Sequence, residues 1–276
     1  MSASGAKTNL HEFVVQENEQ VAEGLWRMRC NTALAAELAP GQFVQVSVPA
    51  DASHILRIPL SFARADARSG ELDIVYAVVG EGTRRLSAMA VGQASTMVGP
   101  CGNGWWLPQD QGRALLVAGG VGLPPIFACA SMLAQTGVGF DVVVGAQTAS
   151  RHCVGYVDEL RSMGIHEGCD CARKVVLTTD DGTLGMRGFV TQAMENLLAE
   201  HTYAQVYACG PNPMMAGVAK LSMSKDIACE VSLERMMGCG FGACSCCNVA
   251  LVDGTQALCC TDGPVFDARR VQWQTR

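Results

Sequence analysis

From about residue 10 to residue 108, apolar positions come in short runs: FVVQ, GQFVQVSVP, ELDIVYAVVG and STMVGP. Gly, Pro and Asp punctuate them, which predicts the strands of an antiparallel barrel or sandwich. From about 112 to 224 the pattern changes. ALLVAGG, FDVVVGAQ, KVVLTTDD and QVYACG are apolar strands, and PPIFACASMLAQTG and VTQAMENLLAEH between them are helices. Strands alternating with helices predict a parallel, doubly wound sheet. The remaining segment follows neither pattern and holds seven of the 14 cysteines, at 229, 239, 244, 246, 247, 259 and 260. The expected organisation is a multi-domain β plus α/β chain: a barrel over 1–110, a nucleotide-type domain over 111–224 and a small cysteine-rich unit over 225–276 that needs metal to fold.

Composition narrows the function classes. The 276 residues are 49% hydrophobic and 17% charged with a formal net charge of −6, and Lys and Arg are scattered, so no nucleic-acid partner is expected. MSASGAKTNLHEF is polar and lacks the apolar core of a secretory leader. Ala114 to Phe140 carries no charge, but GGVGLPP interrupts it, so it reads as strand, loop and helix and no membrane span is expected. The cysteines then belong to a cytoplasmic protein, reduced or metal-bound, because disulfide frameworks are typical of small secreted domains.

Three stretches carry candidate binding chemistry. In GGVGLPP, Gly120 and Gly122 follow a strand and open a helix, where a backbone can approach a pyrophosphate and helical N–H groups can face it. Pro125 stands where the third glycine of a dinucleotide fingerprint would be, and a tight strand-to-helix turn needs glycine without any ligand. YACGPNPMM places Cys209, Gly210 and Pro211 beyond the carboxyl end of a strand, where open α/β sheets bind ligands. RIPLS (57–61), VYAVVGEGT (75–83) and GPCGNGW (99–105) are ordinary barrel turns by themselves, though an Arg beside a hydroxyl suits a phosphate.

The cysteines are more specific. Cys239-x4-Cys244-x2-Cys247, with Cys260 following after twelve intervening residues, is the plant-type spacing of a [2Fe–2S] cluster. The small residues in CGFGAC let a short loop wrap a cluster and turn its N–H groups toward sulfur. Zinc remains the competing metal for four thiolates, and simple structural thiols the third reading. Cys246 and Cys259 are adjacent spares.

The order of barrel, CGP-bearing domain and plant-type cysteines resembles the ferredoxin-reductase superfamily. SLERMMGCGFGACSCC and CCTDGPVFDARRV are similar to the electron-transfer subunits of NAD-dependent (class 1B) dihydroorotate dehydrogenases, a resemblance running from about residue 10 to 273. It implies FAD in the barrel, with contacts at Arg57, Ile58, Pro59, Leu60, Ser61, Val75, Tyr76, Ala77, Gly82 and Thr83. It implies NAD at Gly120, Gly122, the Asp180-Asp181-Gly182 region, Cys209, Gly210 and Pro211, with Ser61 near the flavin ring and Cys209 near the nicotinamide. The cluster ligands it implies are Cys239, Cys244, Cys247 and Cys260.

It further implies electrons arriving from an FMN-containing dihydroorotate dehydrogenase catalytic subunit, in a heterotetramer of two of each, for pyrimidine biosynthesis. Met236, Met237 and Phe241 are the candidate apolar contacts for that partner. One position departs from the pattern: the family's Arg-Pro-x-Ser has Ile58 at the Arg place, with Arg57 one residue earlier, so its side chain is expected on the other strand face. RIPLS is closer to the small subunit of NADH-dependent ferredoxin:NADP oxidoreductases, the alternative reading.

Overall fold

The structure is a computed structural model that describes residues 8–48, 56–110, 112–163 and 174–273. Its first part is β1 (Asn9–Ala22), β2 (Leu25–Asn31), β3 (Phe43–Val46), β4 (Ile58–Asp66), β5 (Glu71–Ala77), the short helix α1 (Glu81–Ser87) and β6 (Ala94–Cys101). The strands close into a barrel in the order β1-β2-β5-β4-β3-β6, every pairing antiparallel. Val44 and Val46 of β3 and Leu72, Ile74 and Tyr76 of β5 fill the interior, as the two-residue period requires. Phe43 of β3 and Val75 of β5, on the outer face, pack against the rest of the molecule instead.

The second part alternates β7 (Ala114–Gly119), α2 (Leu123–Gln135), β8 (Phe140–Ala146), α3 (Val154–Ser162), β9 (Val175–Thr179), β10 (Met186–Arg187), α4 (Val190–Glu200), β11 (Gln205–Cys209), α5 (Asn212–Ser224) and β12 (Ala228–Ser232). The chargeless stretch 114–140 is thus a buried strand, a glycine turn and a helix. No helix among the described residues is long and apolar enough to cross a membrane. Helices α2 and α3 cover one face of the sheet and α4 and α5 the other. The strand order β10-β9-β8-β7-β11-β12 runs outward in both directions from the pair β7 and β11, so the chain reverses its winding between them.

The sheet continues past the boundary expected at residue 224. β12 pairs in parallel with β11, and β15 (Val265–Asp267) then adds antiparallel to β12 as the seventh strand; β13 (Asn248–Ala250) and β14 (Gln256–Leu258) form a separate hairpin. The cysteine-rich unit therefore shares a core with the nucleotide-type domain: Cys247, Cys259 and Cys260 sit in one apolar cluster with Val206, Val218 and Val231.

The chain between barrel and sheet is strapped down by polar contacts. Trp105 Nε1 donates to Pro125 O at 3.0 Å, Tyr207 Oη to Trp106 O at 2.6 Å, and Trp106 N to Glu230 Oε2 at 3.2 Å. Burial pushes the Glu230 carboxyl up from 4.5 to about 7 despite that bond. An acid raised in the folded state stabilises the fold while protonated, and that contribution is lost as pH rises from 4.5 to about 7. Relative to wild type, Glu230→Gln is expected to gain on the order of 1–3 kcal/mol between pH 5 and 8. Denaturant unfolding of both proteins at the two pH values checks it, and equal pH profiles would refute it.

Candidate functional site

A cavity of about 950 Å³ opens where the three parts of the molecule meet, at the upper end of the range for small-molecule sites. One wall is Arg57 and the start of β4 to Ser61, with the end of β5 and Gly80, Gly82 and Thr83; another is Gly119–Gly122 with Cys209–Asn212; the third is Ser232–Met237, which leads to the cysteines. The second wall is the winding reversal itself, between the carboxyl ends of β7 and β11, where open sheets place their ligands. Two 13-residue helices, α2 and α5, start there with proline in the first turn. In α2 the first turn has few donors to offer, because Leu123 N bonds to Gly120 O and Pro124 and Pro125 have no N–H; the start of α5, with Asn212 on the wall, is the helix end that suits a phosphate.

Glycine is required at one place in that wall. A Cβ on Gly122 would lie 2.1 Å from Cys209 O and 2.7 Å from Gly210 N, so the turn after β7 touches the end of β11 only because residue 122 has no side chain. Gly120 contributes the positive φ of 55° that turns the chain into α2.

The sequence-derived residues separate on inspection. Ile58, Pro59, Leu60, Ser61, Val75, Ala77, Gly82, Gly120, Gly122, Cys209, Gly210 and Pro211 all line the cavity. Arg57 lines it too, but its guanidinium reaches across to β6, donating to Thr96 O at 2.9 Å and to Thr96 Oγ1 at 3.0 Å. The guanidinium is therefore held by β6. Tyr76 lines the cavity with its main chain only: the ring is buried inside the barrel and its hydroxyl donates to Asn18 Oδ1 at 3.1 Å. The Thr83 hydroxyl closes its own turn, accepting from Val79 N and Gly80 N at 3.0 and 3.2 Å.

Asp181 is not part of the cavity wall. It caps the turn after β9, two strands from β7, where its Oδ1 accepts from Thr183 N at 3.0 Å and Thr183 Oγ1 at 2.7 Å. Those bonds hold its carboxyl below the ordinary range. The Cys209 thiol donates to Ser232 O at 3.5 Å, and burial pushes it up to about 12, so it is a packed neutral thiol rather than a nucleophile. Glu234 and Arg235 also line the cavity and were not singled out from the sequence; only their place inside the SLERMM block marks them.

None of the described cysteines is in a disulfide. Cys247 and Cys260 are buried with their sulfurs 3.3 Å apart. Backbone N–H groups are aimed at the other sulfurs: Ala243 N at Cys239 Sγ (3.2 Å), Cys239 N at Cys244 Sγ (3.4 Å) and Gly238 N at Cys246 Sγ (3.0 Å). Hydrogen bonds from Cys246 and Cys239 bring Cys244 down to about 6 and favour its thiolate. Among the described residues no three such side chains converge on a point, as a single ion would require. The 247/260 pair, beside a 239/244 loop rich in N–H donors, suits a two-iron group held by cysteines. Cys259 is turned away, buried, with its thiol donating to Leu233 O at 3.2 Å. Cys246 stays at the exposed rim, 3.3 Å from Cys244 Sγ. Met237, expected at a partner contact, is buried, whereas Met236 and Phe241 are exposed.

Comparison with known proteins decides the family. Residues 234–272 match the iron–sulfur cluster binding domain of dihydroorotate dehydrogenase B, and residues 116–220 the oxidoreductase NAD-binding domain. The chain is 37% identical over 266 residues to the dihydroorotate dehydrogenase B (NAD(+)) electron transfer subunit of Geobacillus kaustophilus, covering 94% of this chain and 97% of that one. It belongs to that family of electron-transfer subunits. The corresponding subunit of Streptococcus thermophilus is 35% identical, with 95% and 98% covered. The structure of an NADH-dependent reduced ferredoxin-NADP oxidoreductase superposes with a TM-score of 0.79 at 28% identity, covering 98% of this chain and 92% of that chain. Membership makes this chain an oxidoreductase subunit of the ferredoxin-reductase fold, whose iron–sulfur domain begins at the third wall of the cavity.

Proposed function

We propose that this chain receives electrons at a [2Fe–2S] cluster held by Cys239, Cys244, Cys247 and Cys260, and passes them through FAD to NAD⁺. Their source is an FMN-containing catalytic subunit that oxidises dihydroorotate in cytoplasmic pyrimidine biosynthesis, in a heterotetramer of two chains of each kind. The observation that carries this reading is the single cavity shared by the barrel strand β4, the β7–β11 winding reversal and the segment leading into the cluster cysteines. A flavin exchanges electrons singly with an iron–sulfur cluster and in pairs with a nicotinamide, so it belongs between the two.

The residues divide the work accordingly. Arg57 through Ser61, with Val75 to Ala77 and Gly82, form the flavin wall, and Thr96 holds the Arg57 guanidinium beside it. Gly120, Gly122 and Cys209–Pro211 form the nicotinamide side, with the α5 N-terminus supplying N–H donors for phosphate. Asp181 lies on the carboxyl edge of the same sheet, where the adenosine end of an extended dinucleotide would reach it and its charge would disfavour a 2′-phosphate. Met236 and Phe241 present exposed apolar surface beside the cluster loop to the catalytic subunit.

Arg57→Leu is expected to weaken FAD retention at least ~10-fold, the loss of one charge-assisted hydrogen bond to a phosphate. Flavin released on ultrafiltration measures this, and wild-type retention in the variant would remove Arg57 from the flavin site. The function itself is tested by co-producing the chain with a dihydroorotate-oxidising flavoprotein. Dihydroorotate should reduce NAD⁺ only when both chains are present, and the purified complex should show flavin and iron–sulfur absorption. A colourless zinc protein would refute the reading. Reduction of ferredoxin by the co-purified partner would instead favour the oxidoreductase whose structure superposes on this chain.

A further inference from the structure

Strand β3 alternates between two environments. Val44 and Val46 face the barrel interior, while Phe43 joins the core that contains Cys247, Cys259 and Cys260. Gln45 shares the outer face with Phe43, so it points across the junction between barrel and cluster loop. It is 0% exposed, at a place where an apolar residue would be expected. Its Nε2 donates to the thioether of Met237 at 3.6 Å, a weak acceptor, and its Oε1 has no hydrogen-bond partner. Burying an amide this poorly paired is costly, and methionine or leucine would fill the space without that cost.

What the amide touches is the cluster loop. Gly240, the residue after Cys239, has a φ of 81°, and a Cβ there would fall 2.6 Å from both Cγ and Nε2 of Gln45. The glutamine thus occupies the position a side chain would take at residue 240. On its other side Gln45 is paired with Pro59 of β4, between Ile58 and Leu60, all three lining the cavity. One buried side chain therefore connects the strand facing the flavin wall to the turn carrying the first cluster cysteine.

We propose that Gln45 is a positioning residue for the iron–sulfur cluster, holding the Cys239–Gly240 turn against the barrel and setting the cluster's reduction potential through its amide. Reduction adds negative charge to the cluster and its sulfurs, and N–H dipoles fixed beside them favour the reduced state. A buried amide keeps that influence because little water screens it. This inference rests on the reading of residues 239–260 as a [2Fe–2S] site, and the test separates the two.

The experiment is a potentiometric titration followed by electron paramagnetic resonance, on the complete complex with its catalytic subunit. Gln45→Met keeps the length of the side chain and removes the amide. The expected result is a cluster midpoint shifted to lower potential, with iron and FAD content at wild-type levels and the FAD midpoint unmoved. An unchanged cluster midpoint at full iron content overturns the proposal and leaves Gln45 as packing. Where Gln45→Met does not retain iron, wild-type protein carrying ¹⁵N in its glutamine side-chain amides decides. Pulsed resonance of the reduced cluster then shows a nitrogen coupling from Gln45, or its absence overturns the proposal. A wild-type complex with no iron–sulfur signal at all refutes the site reading itself.

Discussion

Serine at position 247 empties the iron site, and serine at position 259 leaves it filled. Cys247 is buried with its sulfur 3.3 Å from that of Cys260, and no other described cysteine makes a direct sulfur contact with either. A serine hydroxyl is a harder, far less acidic ligand than a thiol, so half of the paired site is lost. Iron is expected to fall from about two atoms per chain to near zero. Electron flow from dihydroorotate to NAD⁺ should fall with it, while NADH oxidation by an artificial acceptor, which needs only the flavin, persists. Cys259 presents the contrast. It lies one residue away, yet its thiol donates to Leu233 O from inside the core. A serine there keeps that bond. Cys246→Ser is expected to keep its iron as well, because Cys239, Cys244, Cys247 and Cys260 already supply four thiolates at the plant-type spacing. Iron analysis of the three variants tests the assignment, and loss of iron from Cys246→Ser with retention in Cys247→Ser would reverse it.

Gly122→Ala carries the other large effect. The added methyl group would meet main-chain atoms, Cys209 O at 2.1 Å and Cys209 C at 2.4 Å, and no rotamer change can relieve a clash with backbone. The turn after β7 and the end of β11 must move apart, at the wall assigned to the nicotinamide. Overpacking of this kind costs roughly 1–3 kcal/mol, which for a chain of this size lowers Tm by roughly 3–10 °C. KM for NADH should rise by at least ~10-fold, the effect of a misplaced binding wall. Iron content should not change. Gly155→Ala is the control: it lies in α3 with nothing within 4 Å of the new Cβ, so it should be neutral or slightly stabilising. Equal KM values for the two variants would show that the β7–β11 contact does not shape the nucleotide site.

Much of this was legible in residue order. The short apolar runs punctuated by Gly, Pro and Asp gave the barrel, the strand–helix alternation gave the wound sheet, and the cysteine spacing pointed to two irons rather than one zinc. What escaped was decided by partners distant in sequence. Tyr76 looked like a ligand contact within VYA, but alternation along β5 turns its ring inward, and only its backbone faces the cavity. Met237 looked as available as Met236, yet the barrel covers it through Gln45. Gln45 itself carried no signal, because FVQV reads as an ordinary half-buried strand until the cluster loop is laid on its second face. Strands β12 and β15 were hidden for a different reason. The cysteines dominate their neighbourhood, and three residues of edge strand carry too little pattern to detect.

The antiparallel addition of β15 to β12 has a consequence for how the protein is made. A ribosome delivers the nucleotide-type strands well before residues 265–267. Until those residues arrive, β12 is an open edge with unpaired N–H and C=O groups, able to pair with a strand from another nascent chain. The same late segment is preceded by Cys260, whose sulfur lies against that of Cys247. Closing the sheet and completing the ligand set are thus nearly one event in time. A chain cut short before residue 260 would therefore leave both an open sheet edge and an incomplete ligand set.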